Sequence, residues 1–181
     1  MRKIILSIIL VCCVAMPLVF ASGHSMTVQI SPYSYQLVKY NLPVEYGSQY
    51  GWGAKAAYRY DYSPVSSVGA DLSFSDYKYS GVKERYIVLS TLAKAGFIVP
   101  ATGKLNVTFD VGGGADLRIL NSMTTFCPTA GLYLGFEYEA GRNVGIAAGA
   151  DFRYSWQTNS DSFYNSDDFA VMTGLGVKVD L

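Results

Sequence analysis

A chain of 181 residues has the usual length of one domain, and half of its residues are hydrophobic while only 15% are charged. This composition excludes a disordered chain, a coiled coil and a disulfide-dense scaffold. Fourteen basic and fourteen acidic residues cancel, so no basic field is present to attract nucleic acid, and we expect no nucleic acid partner.

The first 21 residues have the pattern of a signal peptide. Arg2 and Lys3 form a basic start, an apolar run follows to Phe20, and Ala21 offers a small-residue cleavage site. The alternatives are an uncleaved membrane anchor and a lipoprotein signal, but the run is short for a span and Cys12 and Cys13 lack a small preceding residue. We therefore predict export, with residues 22–181 as the mature domain.

The mature chain alternates apolar and polar residues with a period of two, which predicts β-strands with one apolar face. The alternation is longest over 49–62, 104–119 and 143–156. Weaker copies complete a set of eight, and the predicted strands are 26–37, 49–62, 67–76, 85–98, 104–119, 129–139, 143–156 and 169–181. In the first strand the parity changes near Pro32, where a β-bulge is expected because proline lacks an N–H.

The connections between these strands alternate in predicted length. Long connections are expected at 38–48, 77–84, 120–128 and 157–168, and short ones are expected after the second, fourth and sixth strands. This order is typical of an up-and-down barrel with both termini on one side of a membrane and four loops on the other.

Periodicity alone leaves open which face is inside, and a soluble lipocalin-like barrel is the alternative to a membrane barrel. Aromatic residues cluster toward strand ends, as the two interfacial girdles of a membrane barrel would require. Glycines lie on the polar face of the strands, which would face the lumen of a membrane barrel, and a narrow lumen needs small residues to make room for longer side chains. From Tyr50 to Tyr60 a tilted strand spans roughly 25 Å, which matches the apolar band of an outer membrane. The predicted girdle residues are Tyr50, Trp52, Tyr58, Tyr60, Phe97, Tyr138, Tyr154 and Trp156.

With these features the mature chain resembles the small eight-stranded outer-membrane β-barrels of Gram-negative bacteria, of the OmpA-barrel, OmpX and OmpW kind. The resemblance implies an all-β, antiparallel, up-and-down transmembrane barrel in the outer membrane, with both termini in the periplasm. Val177, Val179 and Leu181 fit the family's C-terminal signal for the barrel-assembly machinery, although such proteins usually end in Phe. The family also implies contact with outer-membrane lipid and lipopolysaccharide.

The polar parity then predicts a network of charged side chains in the lumen, because charges shielded from water must pair. Its expected members are Lys55, Arg59, Asp71, Lys94, Asp110, Asp116, Arg118, Glu137, Asp151, Arg153 and Lys178, and Lys104 falls on the same parity. A filled structural lumen and a narrow hydrophilic path are both compatible with this set.

Catalysis, metal binding and cofactor binding are not predicted. Barrel enzymes of this kind use a His-dependent Ser site, whereas His24 is the one histidine of the chain and precedes every predicted strand. Cys127 is expected to be inert packing, and Gly112-Gly113-Gly114 lies inside a strand rather than before a helix.

The expected function is therefore structural or adhesin-like, carried by four extracellular loops that contact a host or extracellular ligand. A narrow porin-like channel, or an OmpW-like transporter of small or hydrophobic solutes, is the alternative. Tyr40, Tyr46, Tyr77 and Tyr79 lie in or beside the long loops and are expected to be interfacial anchors.

Overall fold

The computed structural model describes residues 23–41, 44–79, 85–120, 123–156 and 166–181, and the predicted signal peptide lies outside them. Eight strands follow one another: β1 His24–Asn41, β2 Val44–Ser63, β3 Ser66–Tyr79, β4 Arg85–Thr102, β5 Leu105–Leu120, β6 Met123–Glu139, β7 Val144–Ser155 and β8 Ser166–Asp180. Among the described residues, no helix is long and apolar enough to cross a membrane.

Each strand pairs antiparallel with its neighbour in sequence, and β1 pairs with β8 to close the barrel. Closure gives every strand two hydrogen-bonded neighbours, so the described sheet leaves no free edge. The predicted antiparallel eight-stranded barrel is confirmed.

The expected bulge near Pro32 is also present. The β1–β2 register shifts between Ser31 and Ser34, and the β1–β8 register shifts between Ile30 and Tyr33. Ser31 Oγ donates a 2.7 Å hydrogen bond to the Tyr33 carbonyl oxygen, and Thr173 Oγ1 donates to the same oxygen at 3.3 Å. The bulge lets Ile30 and Tyr33 both face outward although their parities differ.

The strands extend further than hydrophobic alternation predicts. The regions assigned to long loops at 38–48 and 120–128 are mostly strand, since β1 and β2 are separated by residues 42–43 and β5 and β6 by residues 121–122. Strand also reaches Tyr79 and begins at Ser166, within the two other predicted loops. Backbone pairing does not need apolar side chains, so the ladder continues beyond the part that the apolar pattern marks.

The barrel has two different ends. We call the end with His24, Leu181 and the short connections at 64–65, 103–104 and 140–143 the turn end, and the opposite one the loop end. At the turn end the Asp61 amide donates a 2.7 Å bond to the Gly23 carbonyl, and the Leu181 amide donates a 2.9 Å bond to the His24 carbonyl. These bonds tie both ends of the described chain to the barrel rim.

Candidate functional site: the charged lumen

The pleat of each strand sends alternate side chains into the lumen, where polar and charged residues are buried. Inward positions carry all eleven residues of the predicted charge network, namely Lys55, Arg59, Asp71, Lys94, Asp110, Asp116, Arg118, Glu137, Asp151, Arg153 and Lys178. Lys104, which parity assigns to the same set, is instead exposed in the turn between β4 and β5, because β5 begins one residue after it.

A layer of five charges crosses the middle of the lumen. Asp151 from β7 lies 2.6 Å from Lys55 Nζ on β2 and 3.0 Å from Lys94 Nζ on β4. Lys94 also pairs with Asp71, and Arg153 Nη2 lies 3.5 Å from the same aspartate and 3.9 Å from Asp151. We call these five residues the central layer. The Lys55 and Asp151 side chains are each only 3% exposed, so this pairing occurs away from bulk water.

Tyr133 on β6 fills the space on the turn-end side of this layer. Lys55 Nζ lies 3.8 Å from its ring centroid and Lys94 Nζ lies 5.3 Å away, both within cation–π range. Its hydroxyl accepts a 3.0 Å hydrogen bond from Gln29 Nε2. A Cβ at Gly149 would come within 2.6 Å of this ring, so glycine is required there for the tyrosine to lie across the lumen.

A second cluster lies toward the turn end. Arg59 pairs with Glu137 through both terminal guanidinium nitrogens, with Nη2 2.9 Å from Oε2, and its Nε lies 2.8 Å from Asp61. Lys178 Nζ lies 3.2 Å from Glu137 and 3.0 Å from Asp180. We call Arg59, Asp61, Glu137, Lys178 and Asp180 the turn-end cluster. It opens toward solvent, since the Asp180 side chain is 47% exposed.

The loop-end side of the lumen is held by hydrogen bonds as well as ion pairs. Asp168 lies 3.0 Å from Arg118 Nη1 and accepts hydrogen bonds from Gln36 Nε2 at 2.6 Å and Tyr86 Oη at 3.2 Å. A separate chain runs from Thr129 Oγ1 to Ser155 Oγ at 3.0 Å and from Ser155 to Asp116.

The outer wall has the opposite chemistry. Large apolar side chains are exposed there on every strand, including Ile30 at 63% and Leu175 at 61%. The predicted girdle residues all face outward: Tyr50, Trp52, Tyr154 and Trp156 lie at the loop end, and Tyr58, Tyr60, Phe97 and Tyr138 at the turn end. Val177 and Val179 of the predicted assembly signal face outward as well. A polar interior inside an apolar exterior is typical of a transmembrane barrel and the reverse of a soluble one.

No protein-family model and no curated protein sequence matches this chain. Among solved structures, 88% of the chain superposes on 98% of Neisserial surface protein A, with a TM-score of 0.66 and 16% identity. For Ail, the attachment invasion locus protein of Yersinia pestis, 87% of the chain covers 99% of that protein, with a TM-score of 0.52 and 16% identity. The fold is that of the small eight-stranded outer-membrane β-barrels. The outer membrane protein AlkL, solved in DMPC bilayers, is similar over 90% of this chain and 93% of its own, with a TM-score of 0.50 and 10% identity.

Within this outer-membrane barrel fold, two small cavities lie among the described residues of the lumen. A cavity of about 40 Å³ lies on the turn-end side of the central layer, and one of about 20 Å³ lies on its loop-end side. Lys55 and Lys94 line the first, while Asp151 and Arg153 line the second. A wider vestibule of about 420 Å³ opens at the turn end. The central layer thus separates the vestibule from the loop end.

The structure does not bring every predicted network member into an ion pair. Asp110 lines the cavity below the central layer and has no ion-pair partner within 4 Å in the described part of the chain. Asp116 is held by Ser155 rather than by a neighbouring cation. Strand parity assigns a side chain to the lumen but does not specify its partner there.

Sequence reasoning missed several inward residues near the loop end. Tyr77, expected as an interfacial anchor, is 2% exposed and accepts a 2.9 Å hydrogen bond from Ser34 inside the barrel. Its position continues the inward parity of β3, which the predicted loop boundary cut short. Asp168 was likewise assigned to a loop, although it continues the inward parity of β8. The side chains of Tyr40, Tyr46 and Tyr79 lie outside the described set.

His24 lies at the turn-end rim of the barrel, beside two tyrosines. Its ring stacks on Tyr60 with centroids 4.7 Å apart, and its Nδ1 pairs with the Tyr58 hydroxyl at the barrel rim. Cys127 is fully buried within β6. Among the residues described, no cluster of His, Cys, Asp and Glu has the arrangement of a metal site.

Proposed function

We propose that the protein is an integral outer-membrane barrel of a Gram-negative bacterium that acts as a rigid membrane anchor for an extracellular surface-interaction role. The observation that carries the proposal is the central layer, which crosses the lumen with buried, paired side chains and has cavities of about 40 and 20 Å³ on its two sides. A general pore needs a continuous aqueous path, and eight strands leave room for little more than side chains.

In this proposal the mature chain starts near Ser22 after signal peptide cleavage, and the turn end faces the periplasm. The barrel-assembly machinery would recognise the last strand, with Val177, Val179 and Leu181 on one face. The loop end then faces outside, where the paired ends of β1 and β2 and of β5 and β6 extend past the aromatic residues. The partner is an extracellular or host ligand bound at the four connections of this end.

The test is single-channel recording of the folded protein in planar bilayers, after heat-modifiable migration and circular dichroism establish the folded barrel. We expect no discrete conductance steps. Conductance steps that change in size or ion selectivity with Arg118→Ala would show that the protein is a narrow pore rather than a membrane anchor.

A ligand-binding assay tests the surface role directly. Replacing residues 158–165 with a Gly-Ser segment of equal length should abolish binding to any ligand captured by the intact protein on whole cells, and leave heat-modifiable migration unchanged. Unchanged binding would move the interaction to the other connections, and loss of the folded barrel would argue against an independent loop.

The narrow-channel alternative has one observation in its favour. Cavities lie on both sides of the central layer, and a vestibule opens at the turn end. A channel would require the layer to rearrange, which the conductance recording detects.

A further inference from the structure

Three buried polar atoms of the lumen have no hydrogen-bond partner among the residues that the structure describes. They are Arg153 Nε on β7, Asp116 Oδ1 on β5 and Gln36 Oε1 on β1. The three residues are at most 6% exposed, and all of them line the cavity of about 20 Å³ on the loop-end side of the central layer. A buried polar atom without a partner lowers stability, so a group that pairs with all three would stabilise the barrel.

The charges beside this cavity relate Arg153 to Asp116. In the central layer Lys55, Lys94 and Arg153 face two carboxylates, so the layer has one positive charge in excess. Asp116 is a buried carboxylate that accepts a hydrogen bond from Ser155 and has no cation within 4 Å in the described part of the chain. A buried carboxylate requires a compensating charge. Arg153 and Asp116 therefore complement each other across the cavity.

Contacts on the far side fix which atoms of Gln36 and Arg153 are left for the cavity. Gln36 Nε2 donates a 2.6 Å hydrogen bond to Asp168, and because a carboxylate accepts, Oε1 is the amide atom without a partner. Arg153 Nη1 donates to Ser73, and its Nη2 lies 3.5 Å from Asp71. The cavity thus offers one donor, the Nε–H of Arg153, and two acceptor oxygens.

A cavity of this volume admits one water molecule, since a single water needs roughly 10–15 Å³. Water accepts and donates hydrogen bonds at once, so it matches a site with one donor and two acceptors. A metal ion cannot accept from Arg153, and an anion cannot donate to the two oxygens. Water is therefore the ligand whose chemistry fits all three atoms.

We propose that the loop-end cavity is a binding site for one ordered water molecule, which accepts from Arg153 and donates to Asp116 and Gln36. The water makes Arg153 and Asp116 a water-mediated ion pair, and so gives the central layer its third counter-charge. Through Gln36 and Asp168 it also joins the layer to β1 and β8 at the loop end. The inference deepens the proposed rigid anchor and rests on its closed lumen.

The direct test is a crystal structure of the unchanged protein at a resolution that shows ordered water. We expect one density peak at hydrogen-bond distance, about 2.7–3.2 Å, from Arg153 Nε, Asp116 Oδ1 and Gln36 Oε1. No peak, or a direct contact between Arg153 and Asp116, would overturn the site. Oxygen distances of about 2.3–2.6 Å would assign the cavity to a cation and overturn it as well.

A double-mutant cycle tests the same site in phospholipid bilayers. Asp116→Asn should raise the unfolding equilibrium constant about tenfold, because the hydrogen bonds to a charged group are weakened. Asp180→Asn is the matched control at an exposed position and should change the constant about twofold or less. In an Arg153→Gln background the effect of Asp116→Asn should shrink severalfold, because the cation that this carboxylate compensates is gone.

The outcomes separate this inference from the proposed function. Equal effects of Asp116→Asn in the two backgrounds would exclude the water-mediated pair and leave a closed, non-conducting barrel in place. Discrete conductance steps from the unchanged protein would instead exclude the closed lumen, and the proposed anchor would fail with it. The crystal structure needs no variant, so it decides the question even if Arg153→Gln does not fold.

Discussion

The central layer and the turn-end cluster use the same residue types in different surroundings. In the central layer two aspartates are shared by three cations, and the Lys55–Asp151 pair is almost completely buried. In the turn-end cluster Glu137 is shared by Arg59 and Lys178, while Asp61 and Asp180 reach solvent. The comparison teaches that the effect of a lumen charge depends on how many partners lose water with it.

Asp151→Asn should have the largest effect. It leaves Lys55, Lys94 and Arg153 buried close together with Asp71 as the remaining carboxylate of the layer. Breaking a buried pair by removing one partner costs about 3 to 5 kcal/mol. Urea unfolding in phospholipid bilayers, followed by tryptophan fluorescence, measures this loss. A change below about 1 kcal/mol would mean that water already reaches the layer.

Glu137→Gln should cause the next largest loss of unfolding free energy. It removes the carboxylate that Arg59 holds with two nitrogens and that Lys178 also contacts. We expect a loss of about 2 to 3 kcal/mol, because hydrogen bonds to a charged group are replaced while Asp61 and Asp180 still partly compensate the cations. The same unfolding assay applies. A loss equal to that of Asp151→Asn would contradict the distinction between the two clusters.

Tyr133→Leu and Tyr133→Phe distinguish the contribution of the aromatic ring to the central layer from that of the hydroxyl. Leucine removes the aromatic face beneath Lys55 and Lys94, and we expect a loss of about 1 to 2 kcal/mol. Phenylalanine keeps the face and removes only the hydroxyl that accepts from Gln29, for a loss of about 1 kcal/mol or less. If phenylalanine proves as damaging as leucine, the hydroxyl rather than the ring stabilises the layer.

Asp180→Asn should have the smallest effect, within about 0.5 kcal/mol, because an exposed ion pair contributes little and is screened by salt. It serves as the matched control for Asp151→Asn, since both replace one aspartate that pairs with a lysine. Raising the salt concentration should remove the remaining difference in unfolding free energy between Asp180→Asn and the unchanged protein. A large, salt-insensitive loss would place Asp180 in the same class as the buried aspartates.

The barrel could be predicted from sequence because one observable, the alternation of polarity, reports directly on the two faces of each strand. The Lys104–Ile119 segment and strand β5, Leu105–Leu120, agree to within one residue at each end. Strand ends near the loop end were predicted less well. There the ladder passes beyond the apolar band, and Tyr77 and Asp168 were assigned to loops although they face the lumen.

Partners across the lumen could not be predicted at all. Lys55 and Asp151 lie on β2 and β7, which are not neighbours in the barrel, and 96 residues separate them. Which charges meet depends on strand tilt, register and side-chain length across the enclosed space, and alternation encodes none of these. Glycines such as Gly149 show the same limit: parity places them inward, but only the structure reveals that Tyr133 fills the space they leave.

The pairing of β1 with β8 has a consequence for the time course of folding. Seven of the eight strand interfaces join neighbours in sequence, whereas this seam brings Ser25 opposite Asp180. The seam can form only after the last strand has been synthesised, and a contact between such distant residues is entropically slow to form. Until then β1 and β8 are bare edges prone to pairing with other chains. A folding catalyst would therefore have its largest effect on the closing of this β1–β8 seam.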